Sequence, residues 1–307
     1  MLTRIAVGRA RVVREVRAAA PLMAALRAPV PSRGPWLTAV LNAGPWAAGP
    51  VPVPVARRPV AVVVEPHRQG RPAAVAFLVL RRTGPLTTVG LLGQETAPLP
   101  PGRPPLRLLA RDDEAAGLLA SGIVGALSRL RGPWTLRLAG LPMGDPTLRS
   151  LAAGLPGSVL ANERSSQLLD GLDGPSSPPV RSRDPRVLER WLPALLDREP
   201  DRRARGFLRA AARLHAAIGQ LELAVVADGD RVDGGLLTLV DGADRWPWWG
   251  FGSGAESTTA GSPLVCFTAR GGLRPPALPY SRALVAWSAH LPDRLTRRRG
   301  RRCRSSS

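Results

Sequence analysis

Lysine is absent from this sequence, and all 43 basic residues are arginine. Together with the many Ala, Gly and Pro residues, this usage indicates a GC-rich genome rather than a functional demand for guanidinium groups. Cysteine is scarce as well: Cys266 and Cys303 are too few for a disulfide scaffold or a metal cage. Cys266 lies in an apolar run, which predicts a buried, inert thiol. We therefore expect a reducing, cytoplasmic location.

Long apolar runs are also missing. No stretch has eighteen uninterrupted apolar residues, and the N-terminus lacks the compact apolar core of a secretory signal. We therefore expect no transmembrane segment. The first 28 residues are rich in Arg and contain Glu15 as their one acid. They predict a leading helix that either packs on the body or lies on a surface.

Aromatic residues make up only 4% of the chain, and eight of the thirteen are Trp. So few large rings are typical of core anchors, not of a ladder that stacks nucleotides. The net charge of +20 favours a polyanionic partner at first sight, but residues 270–307 hold ten Arg and one acid and so contribute +9 of it. The remaining +11 is spread over 269 residues. A nucleic-acid-binding function, which rests on charge alone, is the weakest of the alternatives.

The most informative stretch is residues 220–252, QLELAVVADGDRVDGGLLTLVDGADRWPWWGFG. Alternating apolar residues, two Asp-Gly turns and a third segment rich in Trp predict a three-stranded antiparallel meander. A second meander is predicted from three apolar segments over residues 60–92, and the last of them ends in the sequence GLLG. The two meanders lie roughly 160 residues apart, so we read the chain as two like halves.

Helices and strands alternate between and after the meanders. Asp112, Asp113 and Glu114 place acids in the first turn of one predicted helix, and Asp145 is the predicted N-cap of another. Residues 134–138 and 158–161 read as strands. The expected organisation is a leading helix and linker (1–34), a first domain (35–170), a Gly/Pro/Ser-rich linker (171–183), a second domain (184–269) and an Arg- and Pro-rich tail (270–307).

This order of elements, present twice, resembles the GNAT acyltransferase superfamily, and more narrowly its FemAB-like branch with two such domains in one chain. The most similar stretches are WTLRLAGLPMGDPTLRSLAAGLPGSVL and ARLHAAIGQLELAVVADGDRV. The resemblance implies an α/β (α+β) fold of tandem GNAT-like domains, each a mixed, mostly antiparallel sheet flanked by helices.

The resemblance also implies acetyl-CoA or another acyl-CoA as co-substrate, bound where two neighbouring strands splay apart, with its pyrophosphate at the next helix N-terminus. The corresponding residues would be Gly250, Gly252 and Gly254 at the opening, with Gly261 and Ser262 in the phosphate loop. The loop GSGAESTTAGSPL lacks the family's preceding Arg or Gln, and a plain surface loop is the alternative. We expect Gly252→Val to block the co-substrate more than it unfolds the domain.

Acyl transfer to a small-molecule or peptide amine needs a general base. The candidates are Glu222 on a strand of the second meander and His215 on the helix before it, with Glu256 in the loop after it. A solvent-facing strand residue and a helix-edge histidine without chemistry are the alternatives for the first two. If Glu222 is the base, Glu222→Gln should lower acyl transfer by roughly ten- to a thousandfold. His67 and His290 have no neighbouring ligand set, so we predict no metal site.

Two further possibilities stay open. A non-catalytic binding module of the same fold is the alternative to an N-acyltransferase, and it is favoured by the missing phosphate-loop residue. The tail after Ala269 does not continue a GNAT-like pattern, so it is either an Arg-rich arm for an acidic partner or the product of a shifted reading frame. The sequence identifies neither the acyl acceptor nor the oligomeric state.

Overall fold

The computed structural model describes residues 1–44, 46, 55–68, 70–94, 105–172, 178–229, 231–252, 255 and 258–272. These residues form one compact unit that ends at Gly272. Of the predicted tail (270–307), residues 270–272 are described, and Arg270 and Gly271 belong to a strand rather than to a tail. The remaining tail residues lie outside the described ones. None of the described helices is long and apolar enough to cross a bilayer.

The larger of two β-sheets has eight strands, and they run in the order β1-β2-β3-β4-β6-β12-β7, with β5 paired to β3. Its strands are β1 (Leu2–Val7), β2 (Val55–Glu65), β3 (Ala74–Thr83), β4 (Leu86–Leu91), β5 (Leu109–Ala110), β6 (Trp134–Pro142), β7 (Val159–Leu168) and β12 (Thr258–Gly271). All of its pairs are antiparallel except β4 with β6, which is parallel. The sheet is therefore mixed.

The smaller sheet has four antiparallel strands in the order β11-β10-β9-β8. They are β8 (Val180–Ser182), β9 (Leu221–Asp228), β10 (Arg231–Asp241) and β11 (Asp244–Phe251). Strands β9, β10 and β11 are the meander predicted over residues 220–252, and β2, β3 and β4 are the earlier one. Both predicted meanders are confirmed.

Seven α-helices flank the sheets within the described residues. They are α1 (Arg9–Ala18), α2 (Ala20–Ala25), α3 (Gly34–Ala43), α4 (Asp113–Ser128), α5 (Pro146–Gly154), α6 (Pro185–Asp197) and α7 (Arg202–Ala217). Asp112 caps α4 through the Ala115 N–H, and Asp145 caps α5 through the N–H groups of Thr147 and Leu148. The cap predicted at Asp145 is confirmed, whereas Asp112, expected in the first turn of its helix, is the N-cap of α4.

The larger sheet is buried on both faces. Along β2, Val60, Val62 and Val64 face the core formed with α4 and α5, whereas Ala61 and Val63 face a second core. This alternation follows from the period of two residues in a strand. The second core contains residues from α1, α3, α6 and α7 and continues into the smaller sheet. The chain is thus a mixed α/β protein, as the sequence predicted.

Three aromatic rings join the elements of this second core. Trp36 of α3 packs edge-to-face on Phe207 of α7, with ring centroids 5.0 Å apart, and on Trp248 of β11, at 5.3 Å. The Trp36 and Trp248 side chains are fully buried. These tryptophans are therefore the core anchors that the composition predicted.

Strands β1, β8 and β12 were not anticipated. The leading segment begins with β1 before its helices, and β1 pairs with β2 over residues 2–7. Strand β12 lies in the range expected for the second domain, yet it inserts between β6 and β7 of the larger sheet. It carries Cys266, which is buried with a free thiol, as expected. The short strand β8 lies within the range expected to be a linker.

Candidate active site

The parallel strands β4 and β6 pair over only four residues and then separate. The paired register runs from Thr87 with Trp134 to Gly90 with Arg137. After it, the chain beyond β4 stays with β3, since the Leu92 N–H donates to the Phe77 carbonyl at 2.9 Å. Strand β6 continues along β12 as far as Pro142. We call the gap bordered by Gly90 and by residues 138–142 the β4–β6 opening.

Among the described residues, the segments that border the β4–β6 opening form few hydrogen bonds with β6. The Ala139 N–H donates to Gln94 Oε1 at 3.5 Å, at the outer limit for a hydrogen bond. The Gly140 carbonyl accepts from the Leu106 N–H at 2.7 Å. The Gln94 contact is weak, so a ligand with an amide carbonyl can replace it at little cost.

A carboxylate reaches the same part of β6. Glu163 of β7 accepts a hydrogen bond from the Gly140 N–H at 3.2 Å through Oε2. Its other oxygen lies 3.7 Å from Arg137 Nη2. The Glu163 side chain is 19% exposed, so it remains accessible to solvent while it borders the β4–β6 opening.

The helix that follows β4 is not suited to hold a phosphate at its first turn. Helix α4 begins with Asp112, Asp113 and Glu114, and the Asp112 carboxylate already accepts the Ala115 N–H at 2.8 Å. This bond and the guanidinium of Arg111 lower the pKa of Asp112, so the group stays ionised. Negative charge at this helix N-terminus repels a pyrophosphate.

Glu222, a predicted catalytic residue, is buried in an ion-pair network. Its carboxylate accepts two hydrogen bonds from Arg245, at 2.5 and 2.9 Å, and one from Arg183, at 3.4 Å. The Arg245 hydrogen bond is the main cause of a lowered pKa, against the opposing effect of burial. The side chain is only 9% exposed, so the solvent-facing alternative is wrong. These surroundings hold Glu222 as a carboxylate and favour a structural ion pair over a proton acceptor.

His215, the second predicted catalytic residue, lies in the core between α7 and Trp36. Its side chain is fully buried, and its ring centroid lies 6.2 Å from that of Trp36. Burial lowers its pKa to about 4, while Gln220 has a smaller, opposing influence. Neither ring nitrogen has a hydrogen bond of normal geometry to any described residue. His215 is therefore neutral at pH 7, and the predicted helix-edge position is wrong.

Gly250 and Gly252 lie directly against strand β10, with no gap between them and that strand. A Cβ at Gly250 would lie 2.9 Å from the Gly235 carbonyl oxygen, and one at Gly252 would lie 2.7 Å from the Asp233 carbonyl oxygen. Gly252 also has a φ of 92°, which disfavours other residues. Within the described residues β11 pairs with β10 alone, so no splayed strand pair accompanies these glycines. Gly254 and Glu256 lie outside the described residues.

Gly261 and Ser262 lie within strand β12, where the pairing with β7 shifts register between Ala260 and Pro263. The Ser165 hydroxyl donates to the Ser262 carbonyl at 3.1 Å. A Cβ at Gly261 would collide with Ser165 Oγ. The two residues therefore belong neither to a surface loop nor to a helix N-terminus, the two possibilities considered from the sequence, because the segment is part of a strand. Their part in binding a co-substrate stays a prediction.

Among the residues that the structure describes, the predicted site residues do not come together around one opening. Glu222 lies in an arginine ion-pair network on the smaller sheet, whereas His215 is enclosed in the core beside Trp36. Nothing in the sequence pattern pointed to Gln94, Ala139 or Glu163. One signal was visible, namely the strand end GLLG at residues 90–93. That sequence marks the end of β4, where the strands part.

No family model matches this chain, and no curated protein matches it. Among solved structures, a tandem GNAT protein from the clavulanic acid biosynthesis pathway has a TM-score of 0.37 and 14% identity, with 89% of this chain and 100% of that chain covered.

Two other solved structures are similar at the same level. A conserved protein of unknown function from Enterococcus faecalis V583, described as a probable N-acyltransferase, has a TM-score of 0.35 and 10% identity over 87% of this chain and 72% of that one. A GCN5-related N-acetyltransferase from Sphaerobacter thermophilus has a TM-score of 0.32 and 13% identity over 88% and 98%. With every TM-score below 0.5, these likenesses do not define the function of this chain.

Proposed function

We propose that this protein is an acyl-CoA-dependent N-acyltransferase of GNAT-like fold that acts on an amine. The observation that carries the proposal is the β4–β6 opening, where two parallel strands separate after Gly90 and Arg137. The amide-bearing arm of an acyl-CoA is the kind of ligand that adds to such a strand edge through main-chain hydrogen bonds. Each of the two sheets with its helices would then correspond to one GNAT-like half.

In this proposal the co-substrate replaces the Gln94 side chain at the Ala139 N–H. The Gln94 contact is 3.5 Å long, so its loss costs little free energy. The site lies in the first half of the chain, whereas the sequence favoured the second. The second half would serve as scaffold, since His215 is enclosed in its core and Glu222 is held by arginines.

Glu163 is the carboxylate we propose as general base, because it already borders the β4–β6 opening through Gly140. It would accept a proton from the amine, directly or through water, as the amine attacks the thioester carbonyl. The carbon–nitrogen bond then forms, the carbon–sulfur bond breaks, and the CoA thiolate takes up a proton. Glu163→Gln keeps an oxygen that accepts from the Gly140 N–H but cannot serve as a base.

The test combines binding with turnover. Calorimetric titration of acetyl-CoA should give one site per chain, and thiol release should appear with a suitable amine. Glu163→Gln should lower turnover by roughly ten- to a thousandfold and leave acetyl-CoA affinity unchanged. No heat with millimolar acetyl-CoA, in a protein whose folding is verified by circular dichroism, would reject the proposal.

A non-catalytic module of the same fold is the second candidate, and the acidic start of α4 favours it. Asp112, Asp113 and Glu114 stand where a phosphate would have to bind. A non-catalytic module would bind no acetyl-CoA and release no thiol with any amine. The same titration therefore separates the two functions.

A further inference from the structure

A second feature of the larger sheet is an apolar cavity of about 310 Å³ between the C-terminal half of α4 and strands β1 to β4. Ten of its eleven lining residues are aliphatic, and the remaining one is Arg129. The volume falls at the lower end of the range for small-molecule sites. We propose that this cavity binds one free, single-chain fatty acid, with the alkyl chain inside and the carboxylate at Arg129.

The cavity arises from small residues on one face of α4. At Gly122 the helix approaches the sheet so closely that a Cβ would lie 2.6 Å from Thr3 Cγ2 and 2.8 Å from Val62 Cγ1. Residues three and four positions later share that face. A Cβ at Gly125 would meet nothing within 4 Å, and Ala126 lines the cavity. The helix is therefore fixed to the sheet at Gly122 and leaves space one turn later.

The chemistry of the lining selects an alkyl chain. Ile123 and Leu127 form its helix side and are almost fully buried, whereas Val7, at the end of β1, is 44% exposed. The cavity therefore runs from a closed apolar interior to the surface. A methylene group takes up about as much volume as a water molecule, roughly 30 Å³, so a chain of about ten carbons fills it.

The charge at the rim selects the head group. Arg129 follows the last residue of α4 and is exposed, and its guanidinium has no ion pair or hydrogen bond to any described residue. Arg4 and Arg245, by contrast, bind carboxylates of their own chain. A fatty-acid carboxylate would give Arg129 the same kind of partner, since its planar fork matches a carboxylate.

This inference does not depend on the proposed acyltransferase function. The cavity is lined by Val89 on the paired part of β4, whereas the β4–β6 opening begins only after Gly90. Titrations with acetyl-CoA and with a fatty acid therefore report on separate sites, and either can fail while the other succeeds.

The test is calorimetric titration of the full chain with octanoate, nonanoate and decanoate below their micelle concentrations. We expect one site per chain and about a fourfold gain in affinity per added methylene until the cavity is full. Nonyltrimethylammonium, with the same nine-carbon alkyl chain and the opposite charge, should bind at least tenfold more weakly than decanoate, and decyltrimethylammonium should do the same. Arg129→Gln should weaken decanoate binding about tenfold, whereas Arg131→Gln, outside the cavity, should leave it unchanged.

A filling variant tests the location independently. Ala126→Leu places three more carbons in the cavity and should weaken decanoate binding at least tenfold, while Ser121→Leu, on the exposed side of α4, introduces the same side chain and should leave binding unchanged. Equal affinity for decyltrimethylammonium, an unchanged affinity in folded Ala126→Leu, or binding to anionic vesicles but not to monomeric decanoate would overturn the inference. Dimerisation that competes with decanoate would instead assign the cavity to a second copy of the chain.

Discussion

Glu222 and Arg245 form a bidentate ion pair across the smaller sheet, with nitrogen–oxygen distances of 2.5 and 2.9 Å. Glu222 lies on β9 and Arg245 on β11, so the pair spans the strand β10 between them. Arg183 and Arg181 also approach the same carboxylate. The residue that sequence reasoning favoured as a catalytic base is therefore the centre of an arginine cluster.

Glu222→Gln should lower the free energy of unfolding by about 1–2 kcal/mol, because it removes the charged acceptor of both Arg245 hydrogen bonds and leaves only the longer 3.5 Å contact of Arg245 with Asp170. The value is below that of a fully buried pair because the Arg245 side chain is 42% exposed. Urea unfolding at pH 7 measures it. Glu189→Gln is the matched control, since Glu189 forms an exposed bidentate pair with Arg213 and should lose no more than about 1 kcal/mol.

The pH dependence of this ion pair has a defined sign. The pKa of Glu222 is lowered in the folded protein, so its stabilisation is complete above the ordinary glutamate pKa and is lost as the pH falls below it. Equal stability of the wild type and Glu222→Gln at pH 7 would contradict the structural role. A large loss of acyl transfer in a fully folded Glu222→Gln protein would restore Glu222 as a catalytic residue.

Because of His215, the protein should become less stable as the pH falls from 7 to 5. Its pKa falls to about 4 on folding, whereas an unfolded histidine has a pKa of about 6.5. The stabilisation is therefore present above pH 6.5 and is lost as the pH falls towards 4, by about 2 kcal/mol at pH 5. Urea unfolding at both pH values measures the loss.

Two variants assign this loss to His215. His215→Leu should show a nearly flat unfolding free energy between pH 7 and pH 5, whatever its absolute stability. His67→Gln is the histidine control, at an exposed position on the turn after β2. A wild-type pH profile in His215→Leu would show that other groups are responsible.

Gly252→Ala should destabilise the protein by about 1–3 kcal/mol, since it combines a left-handed backbone with a collision against β10. Gly229→Ala is the control: Gly229 also has a positive φ, of 58°, but a Cβ there would meet nothing within 4 Å. The difference in unfolding free energy between the two variants measures the cost of the collision. A Gly252→Ala protein that is as stable as Gly229→Ala but no longer binds acetyl-CoA would support the sequence prediction of a co-substrate opening at this strand.

Local patterns predicted the elements well. The apolar run at residues 60–64, the alternation of residues 221–225 and the Asp-Gly turns after β9 and β10 identified strands. Strand period and turn chemistry are encoded within a few residues. Asp112 and Asp145 identified helix starts for the same reason.

Partners that are distant in sequence could not be predicted in this way. The pairing of β12 with β6 and β7, the burial of Glu222 by Arg245 and the enclosure of His215 by Trp36 depend on residues far apart in the chain. Neither the resemblance nor the residue types indicated which strand separates from its neighbour. For this reason the sequence favoured glycines 250 and 252, whereas the strands part after Gly90.

Hydrogen exchange with and without acetyl-CoA tests the proposed function most directly, because it reports both binding and location. Exchange of the main-chain amides in residues 138–141 should slow when acetyl-CoA is added, with the largest change at Ala139, whose N–H now meets only Gln94 at 3.5 Å. Unchanged exchange at these amides with millimolar acetyl-CoA, or protection confined to residues 250–252, would contradict an acyl-donor site at the β4–β6 opening.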